Sequence, residues 1–246
     1  MLITSLENER IKEYMKLKNR KYREKTGTFL VEGSHLVLEA LRAGLVIEVI
    51  LEQDEIFPVD VPIIYVTNEI IMKLSEVEAP TKIMALCKKK EENLDLGRKV
   101  VVLDGVQDPG NLGTIVRSSK AFHVDTIVLG EGCVDLYNPK VIRSTQGMMF
   151  HMNIVRKKVS DVIEELRNQD IPIYGTRVEY GSDVRTLGQD NKNSYCLIMG
   201  NEGNGVRSEI LDLCDKYLYI AMDDMVESLN VAVATSIILY ELDRRD

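Results

Sequence analysis

Apolar and polar positions divide the chain into two stretches of alternating short elements separated by a charged run. In the first stretch the apolar positions predict strands over 29–33, 46–51, 62–66 and 83–87. Helices are predicted over 35–42, ended by Gly44, and over 69–74, which makes a small α/β unit. The run Lys88-Lys89-Lys90-Glu91-Glu92-Asn93 has no apolar period and reads as a linker, so a domain boundary is expected near residue 95. From Lys99 onward continuous apolar runs predict strands over 100–103, 126–129, 150–155, 171–174, 195–199 and 217–220, with helical segments between most of them. Strands of this kind are buried on both faces, so a mostly parallel sheet covered by helices is expected, with ligands collecting at its carboxyl ends. No internal repeat or low-complexity segment is visible.

Composition narrows the class. The 246 residues suffice for one large core or two modest ones, and 45% hydrophobic with 28% charged residues is the usage of a globular protein, not of a disordered or fibrous one. No run approaches the ~20 apolar residues of a membrane span. The opening residues meet Glu7 and Glu9 where a secretory signal needs an apolar stretch, so a cytoplasmic location is expected. Cys87, Cys133, Cys196 and Cys214 and the three histidines His35, His123 and His151 are scattered, without metal-ligand spacing. No metal is expected, and each cysteine, lying in or beside an apolar run, is read as a buried small hydrophobe.

Charge changes the picture through its distribution. The formal net charge is -8, yet residues 10–25 carry +6 and the remainder -14. The basic segment holds Arg10, Lys12, Lys16, Lys18, Arg20, Lys21, Arg23 and Lys25 interleaved with Tyr14 and Tyr22, the combination that phosphate contacts and base stacking require. The alternative is the solvated face of a helix opened by a capping box at Thr4 and Glu7, with Ile11, Tyr14 and Met15 as its packed stripe.

Three stretches of the second part follow directly after predicted strands. In Asp104-Gly105-Val106-Gln107-Asp108-Pro109-Gly110-Asn111-Leu112-Gly113, Asn111 is the expected N-cap of a helix beginning at Leu112. Gly113 and Arg117 then share a face, where a ligand approaches the bare backbone within reach of a guanidinium, or where a helix packs beside a surface arginine. In Met199-Gly200-Asn201-Glu202-Gly203-Asn204-Gly205, three glycines in six residues free the backbone for an adenosine-type ligand, or for a simple strand-to-helix connection. The spacing is neither a dinucleotide fingerprint nor a P-loop, which argues against nicotinamide and ATP chemistry. In the third, Ile220-Ala221-Met222 leads to Ser228-Leu229-Asn230-Val231, where Ser228 is the expected cap of the final helix and Ala232, Ala234 and Ser236 permit close packing.

Together these stretches resemble the three motifs of the SpoU/TrmH-type RNA ribose 2′-O-methyltransferases of the SPOUT superfamily. The resemblance rests on Asn111-x-Gly113-x-x-x-Arg117, Gly200-Asn201-Glu202-Gly203 and Ser228-Leu229-Asn230-Val231, with Arg143-Ser144-Thr145-Gln146-Gly147 between the first two, and it runs from about Val100 to the C-terminus. It implies an α/β protein whose C-terminal domain, 96–246, is a parallel-sheet methyltransferase domain with a deep trefoil knot. The first 95 residues are similar to the small RNA substrate-binding domain that many members carry. The resemblance further implies S-adenosyl-L-methionine as cofactor, a homodimer with active sites at the subunit interface, and a ribose hydroxyl of RNA as methyl acceptor, ribosomal RNA ahead of transfer RNA. Asn111, Arg117, Glu202, Ser228 and Asn230 are the implied catalytic residues, and Gly200, Ile220, Met222 and Leu229 the implied cofactor contacts.

The chemistry suits that set. Because the methyl carbon of a sulfonium is already activated, the protein must chiefly position the hydroxyl and help remove its proton. A guanidinium keeps its proton until about pH 12, so Arg117 is expected to orient and to stabilise charge. The loop departs from the family pattern at Ala221 and Asp224, where Asp224 would be strained at a positive φ, and Asp223 and Asp224 would set negative charge near the cofactor's carboxylate. A non-catalytic RNA-binding homologue is the alternative class, and a nucleotide-dependent oxidoreductase lacks its phosphate fingerprint.

Overall fold

The computed structural model describes residues 2–187 and 193–243. In chain order its elements begin with β1 (Leu2–Ile3), α1 (Glu9–Lys16), α2 (Arg20–Thr26), β2 (Thr28–Glu32), α3 (Ser34–Arg42), β3 (Val46–Glu52), β4 (Ile63–Val66), α4 (Asn68–Leu74) and β5 (Ile83–Lys88). They continue with β6 (Lys99–Leu103), α5 (Pro109–Ala121), β7 (Thr126–Leu129), α6 (Pro139–Ser144), β8 (Asn153–Arg156), α7 (Val159–Arg167) and β9 (Ile173–Thr176). The last are β10 (Ser182–Asp183), β11 (Tyr195–Met199), α8 (Ser208–Leu211), β12 (Lys216–Tyr219) and α9 (Val231–Asp243).

The chain folds into two compact units, one of Met1–Glu91 with Asp135–Phe150, the other of Glu92–Val134 with His151–Asp246. The first carries a five-stranded sheet in the order β1-β4-β3-β5-β2, with β1, β4 and β3 parallel and β5 antiparallel to β3 and β2. Ile11 and Tyr14 of α1 pack with Ile70, Ile71 and Leu74 of α4 against Ile50, Ile64 and Val66 of the sheet. The returning segment completes this unit. Phe29 of β2 meets the rings of Tyr137 and Phe150 at 4.8 and 6.0 Å, and Arg23 pairs with Asp135 at 2.6 Å. Gln146 and Gly147 take left-handed conformations there, and a Cβ on Gly147 would lie 2.6 Å from that of Glu39. The motif-like segment Arg143 to Gly147 thus belongs to the first unit.

The second unit holds seven strands in the order β10-β12-β9-β11-β6-β7-β8, every pair parallel, as the doubly buried apolar runs predict. Val100, Val102, Val128, Ile173, Cys196 and Ile198 from four central strands meet Val159, Val162, Ile163 and Leu166 of α7 in one core. On the other helical layer α5 and α9 pack together, with Ser118 Oγ 2.7 Å from Ser236 Oγ. Such an approach needs the small side chains read there.

Several local expectations are corrected. The basic segment forms two helices, not one: Asn8 caps α1 by accepting from Arg10 N, and Asn19 caps α2 by accepting from Lys21 N, so the capping box at Thr4 and Glu7 is not used. Asparagine offers its acceptor to the second helical amide, and Asn19 therefore interrupts the run. The strand expected over 150–155 begins at Asn153, because Met148–His151 form a 3₁₀ turn. The two-residue strands β1 and β10 are too short to show a period. Cys214 is half-buried where the other three cysteines are buried, and burial pushes its thiol up to about 11.

Candidate active site

The carboxyl ends of β6, β9, β11 and β12 bring the three singled-out stretches together. After β6 the chain turns through Gly105 into α5. Asp108, not Asn111, caps this helix: its carboxylate accepts from Asn111 N at 2.9 Å, and Pro109, whose φ is already helical, starts the helix earlier than read. Asn111 thus lies in the first turn with its side-chain amide available elsewhere. It donates to Glu202 Oε1 at 3.0 Å and accepts from Asn230 Nδ2 at 2.9 Å.

After β11 the glycine-rich stretch closes into a tight turn by reciprocal Asn201–Gly205 backbone bonds of 3.0 Å. Asn201 Oδ1 accepts from Gly203 N and Asn204 N, and its Nδ2 donates to Gly105 O at 2.8 Å, tying the turn to the β6 exit. A Cβ on Gly200 would stand 2.0 Å from Gly205 C, so only glycine fits there. At the far end of the turn Arg207 is held by the buried Asp104. Asp104 Oδ2 accepts from Arg207 N at 3.0 Å, and Oδ1 from Nε at 2.8 Å with a second guanidinium nitrogen at 2.7 Å.

Glu202 projects from this turn toward the start of α5. Besides Asn111 it accepts from Asp108 N at 3.0 Å and from Gln107 N at 3.2 Å. Partial burial acts to raise its carboxyl, but donation by Asn111 and these backbone amides prevails and holds it below the ordinary carboxylate value. The loop after β12 closes the site. Asn230, not Ser228, caps α9, its Oδ1 accepting from Ala232 N at 2.9 Å and Val233 N at 3.3 Å. One asparagine therefore ends the loop with its oxygen and reaches α5 with its nitrogen.

A cavity of about 390 Å³ opens beside this chain of amides. Its walls include Gly200 and Glu202 from the turn, Ile220, Met222, Ser228 and Leu229 from the last loop, and Val231, Ala234 and Ile238 from α9. All four implied cofactor contacts therefore line one cavity, as do Glu202 and Ser228, while Asn111 and Asn230 join Glu202 by hydrogen bonds. Arg117 stands apart. Six residues beyond Asn111, about 9 Å along α5 and on another face, it is exposed and does not line the cavity, and its guanidinium has no ion pair among the described residues.

Other expectations change here. Asp224 is not among the residues with positive φ, so no strain arises there. Neither Asp223 nor Asp224 lines the cavity, and Asp223 Oδ1 instead accepts from Met225 N at 2.9 Å within its own turn. Thr176, Arg177 and Val178, at the end of β9, line the cavity without having been singled out. The carboxyl-end rule for parallel sheets marks them once β9 is known to neighbour β11 and β12.

The basic segment is largely engaged within the first unit. Arg10 pairs with Glu48, Lys12 with Glu7, Lys16 with Glu13, and Arg20 with Glu24, while Lys18 donates to the carbonyls of Lys73 and Ser75. Arg23 is buried and donates to Leu17 O and Lys18 O besides Asp135. Lys21 has no ion pair among the described residues, and Lys25 lies 5.9 Å from the Tyr22 ring centre.

Residues 98–240 match the model of the SpoU rRNA Methylase family, and residues 8–85 match that of the MRM3-like substrate binding domain. The chain is 40% identical over 98% of its length to the 23S rRNA (guanosine(2553)-2′-O)-methyltransferase RlmP of Bacillus subtilis, 98% of which is covered. It resembles the AdoMet-bound SpoU methyltransferase AviRb of Streptomyces viridochromogenes with a TM-score of 0.84 and 29% identity, covering 96% of this chain and 97% of that one. It likewise resembles the AdoMet-bound rRNA methyltransferase of Sinorhizobium meliloti, with a TM-score of 0.87 and 27% identity over 98% and 97% of the two chains.

Proposed function

Since the chain belongs to the SpoU rRNA methylase family, we propose that this cavity binds S-adenosylmethionine and that the adjoining polar residues direct its methyl group onto a ribose 2′-hydroxyl of ribosomal RNA. The acceptor is a guanosine of 23S ribosomal RNA, the substrate class in the name of its Bacillus subtilis relative, and we read the protein as cytoplasmic. The observation that carries the reading is the Glu202–Asn111–Asn230 hydrogen-bond chain at the edge of the cavity.

The residues fit the cofactor. Leu211, Leu218, Val231, Ala234 and Ile238 give an apolar slot for an adenine, and the missing Cβ of Gly200 lets the backbone of Gly205 and Val206 close in to shape the turn beside it. Ile220, Met222 and Leu229 offer main-chain groups around it. When bound, the cofactor supplies an electrophilic methyl carbon on a sulfonium.

The rest falls to the protein. Four donors already occupy the Glu202 carboxylate, so it positions Asn111 and removes no proton. Asn111 in turn fixes Asn230, and Ser228 beside it presents a hydroxyl to the cavity, where a ribose can be held. Arg117 orients an RNA phosphate and stabilises charge as the 2′-oxygen proton leaves to water. Arg117 lies off its own cavity, so we place it at the site of a second copy. The exposed Val233 and Tyr240 of α9, the helix that packs on α5, supply an apolar face for a homodimer. We read the return of α9 from the β12 edge to α5 as the last pass of the trefoil knot, and residues 1–95 as the RNA-binding part, with 96–246 as the methyltransferase part.

Transfer of labelled methyl to 23S ribosomal RNA lacking the modification, mapped by resistance of the neighbouring phosphodiester to alkali, tests the reaction. Modification of a base, or no transfer by a protein that binds the cofactor, would overturn it. Arg117→Ala and Asn111→Ala should each abolish transfer and spare cofactor binding. If sites are shared between copies, mixing these two inactive variants restores part of the activity, whereas an inactive mixture removes Arg117 from the neighbouring site.

A further inference from the structure

The cavity is electrically lopsided in a way that points to a role for one residue of this chain. Among the described residues that line it, Arg177 and Glu202 are the charged ones, and they come from different strand ends, Glu202 from the turn after β11 and Arg177 from the end of β9. Glu202 is occupied by backbone and Asn111 donors. Arg177 has no carboxylate partner among the described residues, yet it is held in place. Its backbone N donates to Leu218 O at 3.0 Å, and its guanidinium lies over the Tyr217 ring, 4.1 Å from the centroid. Tyr217 is fixed in turn by its hydroxyl, which donates to Leu211 O at 3.2 Å, and by packing on the core of the second unit.

A guanidinium held over an aromatic ring by a cation–π contact still has N–H donors to offer, and their fork matches a planar carboxylate in a two-point contact. The cofactor carries one carboxylate, on its amino-acid arm. Beside Glu202 that group would meet a like charge, whereas beside Arg177 it meets the opposite one. Resting on the cofactor reading above, we infer that Arg177, preorganised by Tyr217, binds the carboxylate of S-adenosylmethionine and of its demethylated product. It thereby selects the complete amino-acid arm over bare nucleosides.

Isothermal titration of the full chain with S-adenosylhomocysteine and with 5′-methylthioadenosine tests this, because the second ligand keeps the nucleoside and sulfur but lacks the carboxylate. Arg177→Ala should weaken S-adenosylhomocysteine by about 10- to 100-fold, the range for a hydrogen-bonded charge, and change methylthioadenosine less than about twofold. Arg177→Lys should recover part of the difference, and Tyr217→Leu should lose it in the same ligand-selective way. Since Arg177 is exposed, thermal unfolding of Arg177→Ala should match the parent and exclude a folding defect. Equal weakening of both ligands, or unchanged binding of both with weaker RNA binding, would overturn the assignment while leaving the cofactor reading intact. A parent protein that binds neither nucleoside would overturn the cofactor reading itself.

Discussion

Replacing Asp104 by Asn should loosen the second unit at the point where the glycine-rich turn is anchored. Asp104 is 2% exposed, and its two oxygens receive the backbone and the side chain of Arg207 over 2.7–3.0 Å. Asparagine preserves the shape but offers one acceptor where two are used. With its oxygen toward the guanidinium, its NH₂ faces Arg207 N, donor against donor. The guanidinium is 43% exposed and regains water, so the full penalty of orphaning a buried ion does not apply. What is lost is a charge-assisted bond and the pairing of a backbone amide, about 2–3 kcal/mol. For a domain of this size that is a fall in Tm of about 5–10 °C, read by circular dichroism or calorimetry. Glu131, which also touches Arg207 at 3.3 Å but is half exposed, serves as the control. Glu131→Gln should cost less than about 0.5 kcal/mol. A Tm for Asp104→Asn within about 1 °C of the parent, or an equal loss for the two variants, would refute the reasoning.

Three further outcomes are expected. Gly200→Ala must push the turn away from a carbon 2.0 Å from the new Cβ, so it should cost about 1–3 kcal/mol and lower the affinity for S-adenosylhomocysteine more than tenfold, both by titration and by melting. The carboxyl of Glu202 lies lower in the folded chain than in the unfolded one, so its contribution to stability is present above the unfolded value, about 4.3, and is lost as pH falls through the folded one. The Tm difference between the parent and Glu202→Gln should therefore shrink as pH is lowered from about 7 to about 3, and a constant difference would contradict the assigned donors. Lys21→Ser combined with Lys25→Ser should reduce the slope of log affinity for RNA against log salt by about 1.4–1.8, and an unchanged slope would mean that neither meets a phosphate.

Legibility followed physical cause. The strands over 126–129 and 195–199 are read to the residue because both are buried on both faces and bounded by turn residues. Helix starts were less legible, since competing caps stand within three residues of each other: Pro109 moved the start of α5 back to Asp108, and the double donation to Asn230 took the cap of α9 from Ser228. Local charge was legible but its use was not, because Glu48 and Asp135, which engage Arg10 and Arg23, lie far along the chain. Motif residues clustered as their order after strands suggested. Arg177 and the Asp104–Arg207 pair escaped notice because sequence order does not reveal that β9 lies beside β11 and β12, or which partner lies 103 residues away.

The excursion of Asp135–Phe150 into the first unit has a consequence for biogenesis. During synthesis the first 91 residues of that unit emerge first but lack the rings that cover Phe29 and the carboxylate that neutralises the buried Arg23. It must wait, partly assembled, until about 150 residues have left the ribosome, by which time β6 and β7 have also been made. Neither unit is a contiguous gene fragment. A recombinant piece cut at the charged linker would leave an apolar ring and an unpaired guanidinium uncovered, and the smallest faithful version of the first unit is one that carries residues 135–150 in trans or on a tether.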